Sequence, residues 1–169
     1  MVGRGCPVIV ACDTSPITNL AAIGRLPLLR DLFQSLTIAP GVWAELHAKG
    51  AAWPGSRQVE VASWIACRAP SNAALVATLR TSLDLGESET IALAVEIGAG
   101  LVLMDERDGR HAARALGLRV MGAVGVLLDA KRRGMIATIR PELDALRDRA
   151  GFYLGAAVYA KALDAAGEV

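Results

Sequence analysis

Short apolar runs alternate with stretches of helical periodicity along the chain. Residues 8–12 are apolar, partly β-branched and few, the pattern of a strand buried on both faces. Residues 36–39, 64–67, 101–104 and 118–121 repeat that pattern, with 64–67 the weakest. Between them lie helical patterns over 17–23, 26–33, 40–49, 71–80, 87–97, 110–116 and 122–133. Thr14-Ser15-Pro16 offers a cap followed by a proline at a first helical position, and Gly50, Gly98 and Gly117 close later helices. Two more helices, over 141–149 and 156–165, finish the chain.

Strands that alternate with helices predict an α/β fold of three layers, α/β/α, around a mainly parallel sheet. Right-handed crossovers then bring the C-terminal ends of all strands to one edge, where such sheets bind ligands. The expected organisation is a single domain over 1–169, with a core at about 8–133 and a C-terminal helical extension at 134–169. A length of 169 residues and a hydrophobic fraction of 53% suit such a core and exclude a disordered chain.

Charge adds little globally, because 18 basic residues meet 17 acidic ones. No run approaches the ~20 apolar residues of a membrane span, and the N-terminal apolar run stops at Asp13, too soon for a secretory leader. The expectation is a cytoplasmic protein with no membrane partner. Cys6, Cys12 and Cys67 lack metal-ligand spacing, as do His47 and His111, so a zinc site is not expected.

The candidate chemistry is acidic. Asp13 follows the first strand and Asp105 the fourth. Glu45 lies beside the apolar stripe of the 40–49 helix, and Glu87 and Glu89 open the next long helix. Each has a plain structural reading as well. Asp13 suits a helix N-cap, Glu45 a surface pair with Lys49, Glu87 and Glu89 the positive end of a helix dipole, and Asp105 a pair with Arg107 or Arg110. If these acids converge on one edge, they cannot all stay ionised without a cation. An all-oxygen ligand set suits Mg²⁺ or Mn²⁺, ions that activate water for attack on phosphorus.

Four segments taken in order, Val10 to Ile17, Val42-Trp43-Ala44-Glu45-Leu46, Gly86-Glu87-Ser88-Glu89 to Ala94, and Leu101 to Arg107, resemble the successive motifs of PIN-domain nucleases. The likeness runs from residue 8 to about residue 130. The Gly-Glu-Ser-Glu form and the added C-terminal helices are similar to a branch near the VapC-type toxins. This resemblance implies a five-stranded parallel sheet and a Mg²⁺- or Mn²⁺-dependent ribonuclease. It puts the family's acids on Asp13, Glu45, Glu87 and Asp105 as catalytic and metal-holding residues. Glu87 stands where the family usually has Asp, with Glu89 as rival or supporting acid. Thr14 or Ser15 falls where the family places a hydroxyl near the metal. An RNA substrate, an antitoxin protein and a homodimer are the implied partners.

From residue 105 to 133, seven basic residues face four acidic ones, a local net charge of +3. Arg107 and Arg110 lie nearest the strand-end acid and are the candidate phosphate contacts, whereas Arg114 and Arg119 suit a solvated helix face. Lys131-Arg132-Arg133 suits a helix C-terminus. Among the tryptophans, Trp53 beside Pro54 is the candidate for base stacking and Trp43 is expected in the core. Phe152, Tyr153, Leu154, Val158, Tyr159 and Leu163 suit core packing, or else a dimer or partner surface.

The second reading is a catalytically weak binding module that keeps the fold and acts through a protein partner. Phosphatases with a nucleophilic strand-end Asp carry a second Asp two residues on, where this chain has Ser15. No P-loop and no Gly-x-Gly-x-x-Gly after the first strand supports a nucleotide-binding role.

Overall fold

The computed structural model describes residues 8–168. Five short strands form one sheet: β1 (Val10–Cys12), β2 (Leu36–Ile38), β3 (Ile65–Cys67), β4 (Leu101–Leu103) and β5 (Val120–Met121). They lie in the order β3-β2-β1-β4-β5, and every neighbouring pair is parallel. The chain builds outward from β1 through β2 to β3, then returns to pair β4 with the other side of β1. The order therefore reverses between β1 and β4, which opens a crevice beyond their C-terminal ends.

Helices cover both faces. They are α1 (Thr14–Ala22), α2 (Pro27–Phe33), α3 (Pro40–Ala48), α4 (Ser56–Glu60), α5 (Ala73–Leu79), α6 (Leu85–Glu96), α7 (Arg107–Ala115), α8 (Ala123–Arg132), α9 (Arg140–Arg149) and α10 (Ala156–Ala165). Successive strand side chains point to opposite faces. Val10, Cys12, Leu101 and Leu103 therefore join one buried cluster, with residues of α1, α2, α3, α8, α9 and α10. Ala11 and Val102 join the other, with Ile91 and Ala94 of α6 and Ala113 of α7. The C-terminal helices extend the first cluster through Leu143, Leu146, Ala162 and Leu163. Arg25 grips Glu142 through two hydrogen bonds, which ties the α1–α2 turn to α9.

Several elements are shorter or shifted relative to expectation. The first strand loses Val8 and Ile9, which are 54% and 48% exposed. The neighbouring strands begin level with Val10, at Leu36 and Leu101, so Val8 and Ile9 run past the paired register, although the Gly100 N–H still donates to the Ile9 carbonyl at 2.9 Å. β5 starts at Val120 rather than at residue 118 and pairs with Val102 and Leu103 of β4, while the Arg119 carbonyl just before it accepts the Val102 N–H at 2.8 Å. β3 is an edge strand and half exposed. In contrast, α6 starts at Leu85 and α7 at Arg107, ahead of the expected positions. Helix α1 starts at Thr14 behind Asp13, so Pro16 sits third in the first turn instead of first. Cys12 is buried and Cys67 exposed, both as free thiols. Cys6 lies outside the described residues.

Candidate active site

The crevice between β1 and β4 gathers side chains from four places. Asp13 leaves β1 with its N–H donated to the Leu103 carbonyl at 2.9 Å, which stitches the two strands at their ends. Its side chain is 3% exposed. It occupies the N-cap position of α1, yet its carboxylate makes no capping bond there, and Oδ1 is buried without a hydrogen-bond partner among the described residues. The simple capping role is therefore unfilled. A buried, unpaired carboxylate oxygen is costly and rare in native proteins.

Glu45 comes from α3, and its Oε2 accepts the Thr14 hydroxyl at 2.5 Å. Its Oε1 lies against the backbone of α6 at Gly86, where an added Cβ would stand only 2.7 Å away. Glu87 comes from the first turn of α6. Asp84 caps that helix by accepting the Glu87 N–H at 2.8 Å, and the Glu87 carboxylate returns to the Asp84 N–H at 3.1 Å. This reciprocal pair fixes where α6 starts and holds Glu87 in place. Gly109 of α7 leaves room for it, since a Cβ there would meet Glu87 Oε1 at 2.9 Å.

Asp13, Glu45, Asp84, Glu87, Glu106 and Asp108 line one notch together with Ser15 and Arg107. Burial pushes the Asp13 carboxyl well above the usual carboxylate range; the Thr14 N–H opposes this, and the charges of Asp84, Glu45 and Glu87 add to the rise. Glu87 is also raised, first by burial and then by Asp84, Glu106 and Glu45, against the pull of the Asp84 N–H. One guanidinium among six carboxylates leaves the notch strongly anionic.

Asp105 stands beside this notch rather than in its lining. Its Oδ2 accepts the Asn19 side-chain amide at 2.9 Å, and its Oδ1 accepts the Ala123 N–H at the head of α8 at 2.7 Å. Burial raises its pKa, while these two bonds and Arg110 lower it. It lines an adjoining hollow, which shares Ser15, Glu106 and Arg107 with the notch. Among the described residues, no three acidic, histidine or cysteine side chains stand close enough to form a ready cation cage.

Glu89 is directed elsewhere: it accepts the Gly41 N–H at 2.6 Å, satisfying the first turn of α3. Positions two apart on a helix differ by about 200°, so Glu87 and Glu89 serve different neighbours. Thr14 is engaged by Glu45, and Ser15 lines both hollows. Arg107 is exposed and lines both hollows too. Arg110 instead turns inward and donates to the Met104 carbonyl at 3.2 Å. Burial lowers its pKa, with Arg114 adding to the fall and Asp105 opposing it.

Trp43 is not a core residue. It is 37% exposed and stacks on His47 at 4.3 Å, one helical turn on. The Trp53 ring is covered by the Lys49 ammonium at 3.9 Å. Lys49 is therefore occupied by an aromatic face, while Glu45 is held by Thr14. Asp84, Glu106, Asp108 and Asn19 were not among the candidates read from the sequence. The Asp84-x-x-Glu87 capping spacing was the available signal for the first of these. Asn19 had none, since it meets Asp105 across 86 positions of chain.

The chemistry of the donors is uniform: carboxylates and hydroxyls, with one buried oxygen unpaired. That suits a hard divalent cation in kind, although the carboxylates do not form a closed set.

A parallel α/β/α sheet with acids at its switch point is a nuclease-type arrangement, and the comparison with known families agrees. A family model described as a PIN domain matches residues 9–168. The chain belongs to the PIN-domain family, whose members are generally nucleases and typically use divalent metal ions, which makes a nucleic acid its class of substrate. No curated protein matches the chain. Among the described residues, no helix is long and apolar enough to cross a membrane.

Proposed function

We propose that the protein is a ribonuclease dependent on Mg²⁺ or Mn²⁺, with Asp13, Glu45, Glu87 and Asp105 as its catalytic and metal-holding acids. One observation carries the reading: Asp13 is buried with an unpaired Oδ1 in a notch whose other carboxylates oppose its charge. Such a group is tolerable when a cation binds there.

Asp13, Glu45 and Glu87 of the notch, and Asp105 of the adjoining hollow, would hold the ion. Once bound, the ion supplies Lewis acidity at phosphorus and lowers the pKa of water. The chain's own groups do the rest. Thr14 orients Glu45 through its hydroxyl, and the Asp84 N–H fixes Glu87. Asn19 and the Ala123 N–H hold the Asp105 carboxylate in one orientation, leaving one lone pair on each oxygen. Arg107, exposed at the shared wall, binds the phosphodiester and draws the RNA backbone to an otherwise anionic edge. A carboxylate not committed to the ion accepts the proton of the attacking water.

The proposal extends to the setting: a cytoplasmic toxin restrained by an antitoxin protein that covers the acidic edge. The Gly86-Glu87-Ser88-Glu89 form and the C-terminal helices support it through their likeness to the branch near VapC-type toxins. One observation favours the second reading, a PIN-like binding module of weak activity: no three side chains form a ready cage among the described residues.

Cleavage of RNA in Mg²⁺ or Mn²⁺ separates the two. Ribonuclease action predicts cleavage that stops on chelation and is lost in both Asp13→Asn and Asp105→Asn. Cleavage that persists in both variants points to another site or a contaminant. Absence of cleavage and of any thermal response to millimolar Mn²⁺ favours the binding module.

A further inference from the structure

The hollow beside the acidic notch, which Asp105 and Glu106 also line, holds two aromatic rings that the proposed chemistry does not use. Asn19 and Thr18 of α1, Arg107 at the head of α7, and Phe152 and Tyr153 from the α9–α10 connection line it. Phe152 and Leu154 pack against the main cluster, and the Phe152 N–H donates to the Leu146 carbonyl at 3.1 Å. Tyr153 lies between these two anchors and is 92% exposed. Its ring passes along Gly155, where an added Cβ would lie 3.9 Å from both a ring carbon and the hydroxyl. A large aromatic ring is thus presented to solvent by a short segment pinned on both sides.

Ser15, Glu106 and Arg107 line this hollow and the acidic notch alike, so the two are continuous. A chain that places a phosphate at Arg107 has its neighbouring nucleotide over the second hollow. Exposed aromatic rings bind unstacked bases without regard to sequence, and a guanidinium holds the connecting phosphate. We propose that this hollow is a nucleobase subsite for single-stranded RNA, with Tyr153 as the stacking platform and Arg107 as the phosphate anchor common to both hollows. The assignment rests on the ribonuclease reading for the identity of the strand. It goes further in giving the C-terminal segment a share in the substrate site. A duplex does not fit this role, because its bases are already stacked and paired.

The test uses the full chain carrying Asp13→Asn, so that binding is read without turnover, and fluorescence anisotropy with short labelled homopolymers of uridine and of adenosine. Tyr153→Ala is expected to weaken both by roughly tenfold, and Tyr153→Trp to restore them, since stacking tolerates every base. The melting temperature stays that of the parent, because the ring is exposed. Arg107→Ala weakens binding and flattens its salt dependence. Equal affinity of Tyr153→Ala and its parent overturns the subsite, and so does a failure of the parent to bind single-stranded RNA. Cleavage by chains with native Asp13 separates the two claims. RNA bound with Tyr153 dependence but never cut leaves the subsite standing without the ribonuclease. RNA cut with an unchanged KM in Tyr153→Ala does the reverse.

Discussion

Glu45 Oε1 rests against Gly86 so closely that a Cβ at residue 86 would stand 2.7 Å from it. The bare edge of α6 is what lets a carboxylate from α3 lie across its first turn. Gly86 has no positive φ, so alanine is compatible with its backbone. Gly86→Ala is therefore expected to favour the helix by up to about 1 kcal/mol while displacing the Glu45 carboxylate. The prediction is an unchanged or raised melting temperature together with roughly tenfold weaker binding of Mn²⁺, in line with losses seen when groups supporting a metal site are disturbed. Calorimetric titration with Mn²⁺ beside thermal unfolding checks both halves. A fall in stability with metal affinity intact would mean that Gly86 serves packing alone.

Glu87 and Glu89 make a matched pair for deciding the third acid. Glu87→Gln keeps the capping geometry, because glutamine is also accepted at that place in a capping box. It is expected to hold stability and lose the response to Mn²⁺. Glu89→Ala removes the acceptor for the Gly41 N–H. That is expected to cost on the order of 1 kcal/mol in stability and to leave the Mn²⁺ response intact. Thermal shift with and without Mn²⁺ reads all four quantities, and the opposite assignment of losses would make Glu89 the functional acid.

These residues also show where sequence reasoning stops. The sheet was legible because 8–12, 36–39 and 101–104 are short apolar runs between helical periodicities, and their alternation implied parallel pairing. Strand ends at Asp13 and Asp105 followed from the same pattern. The length of each strand did not, since Val8 and Ile9 are apolar enough for a strand, yet the paired register starts at Val10 and leaves both about half exposed. Helical periodicity separates Glu87 from Glu89 but does not say which faces the crevice. That depends on the head of α3, which needs an acceptor at Gly41. Trp43 looked like core by its neighbours Val42 and Leu46, but a position between two buried residues of a helix can lie at the margin of the apolar face, where His47 covers it.

The C-terminal end is clamped by Glu168. Its carboxylate accepts Lys131 Nζ at 2.5 Å and the N–H groups of Ile139 and Arg140 at 2.6 and 3.1 Å, which binds it to α8 and to the head of α9. These donors, the Lys131 bond foremost, hold its pKa down at about 2, against a usual 4.5. A carboxyl lowered on folding contributes stability that is present above the unfolded value and lost as pH falls through the folded one. The clamp is thus expected to weaken between about pH 4.5 and 2. Glu168→Gln is expected to lower the melting temperature at neutral pH and to flatten its decline over that acid range. An identical acid profile in variant and parent would remove Glu168 from any such role.

Asp13 titrates in the opposite sense. Burial raises its carboxyl well above the ordinary 3.8, so the folded state holds its proton more tightly than the unfolded chain does. Stability from this group is complete below the unfolded value and is lost as pH rises through the folded one. Without metal, the protein is therefore expected to be less stable at neutral pH than in mild acid, so far as this residue decides it. Asp13→Asn removes the buried charge and is expected to stabilise the metal-free chain at neutral pH by about 1–3 kcal/mol, the usual scale for an unsatisfied buried group. The same substitution is expected to abolish the stabilisation by Mg²⁺ or Mn²⁺ that the native carboxylate gives. In the native chain that stabilisation is expected to grow with pH, because protons and the cation compete for one oxygen set. Unfolding curves across pH, with and without Mn²⁺, test this. A destabilised Asp13→Asn that keeps its full metal response would show that Asp13 is a structural acid and that any cation binds elsewhere.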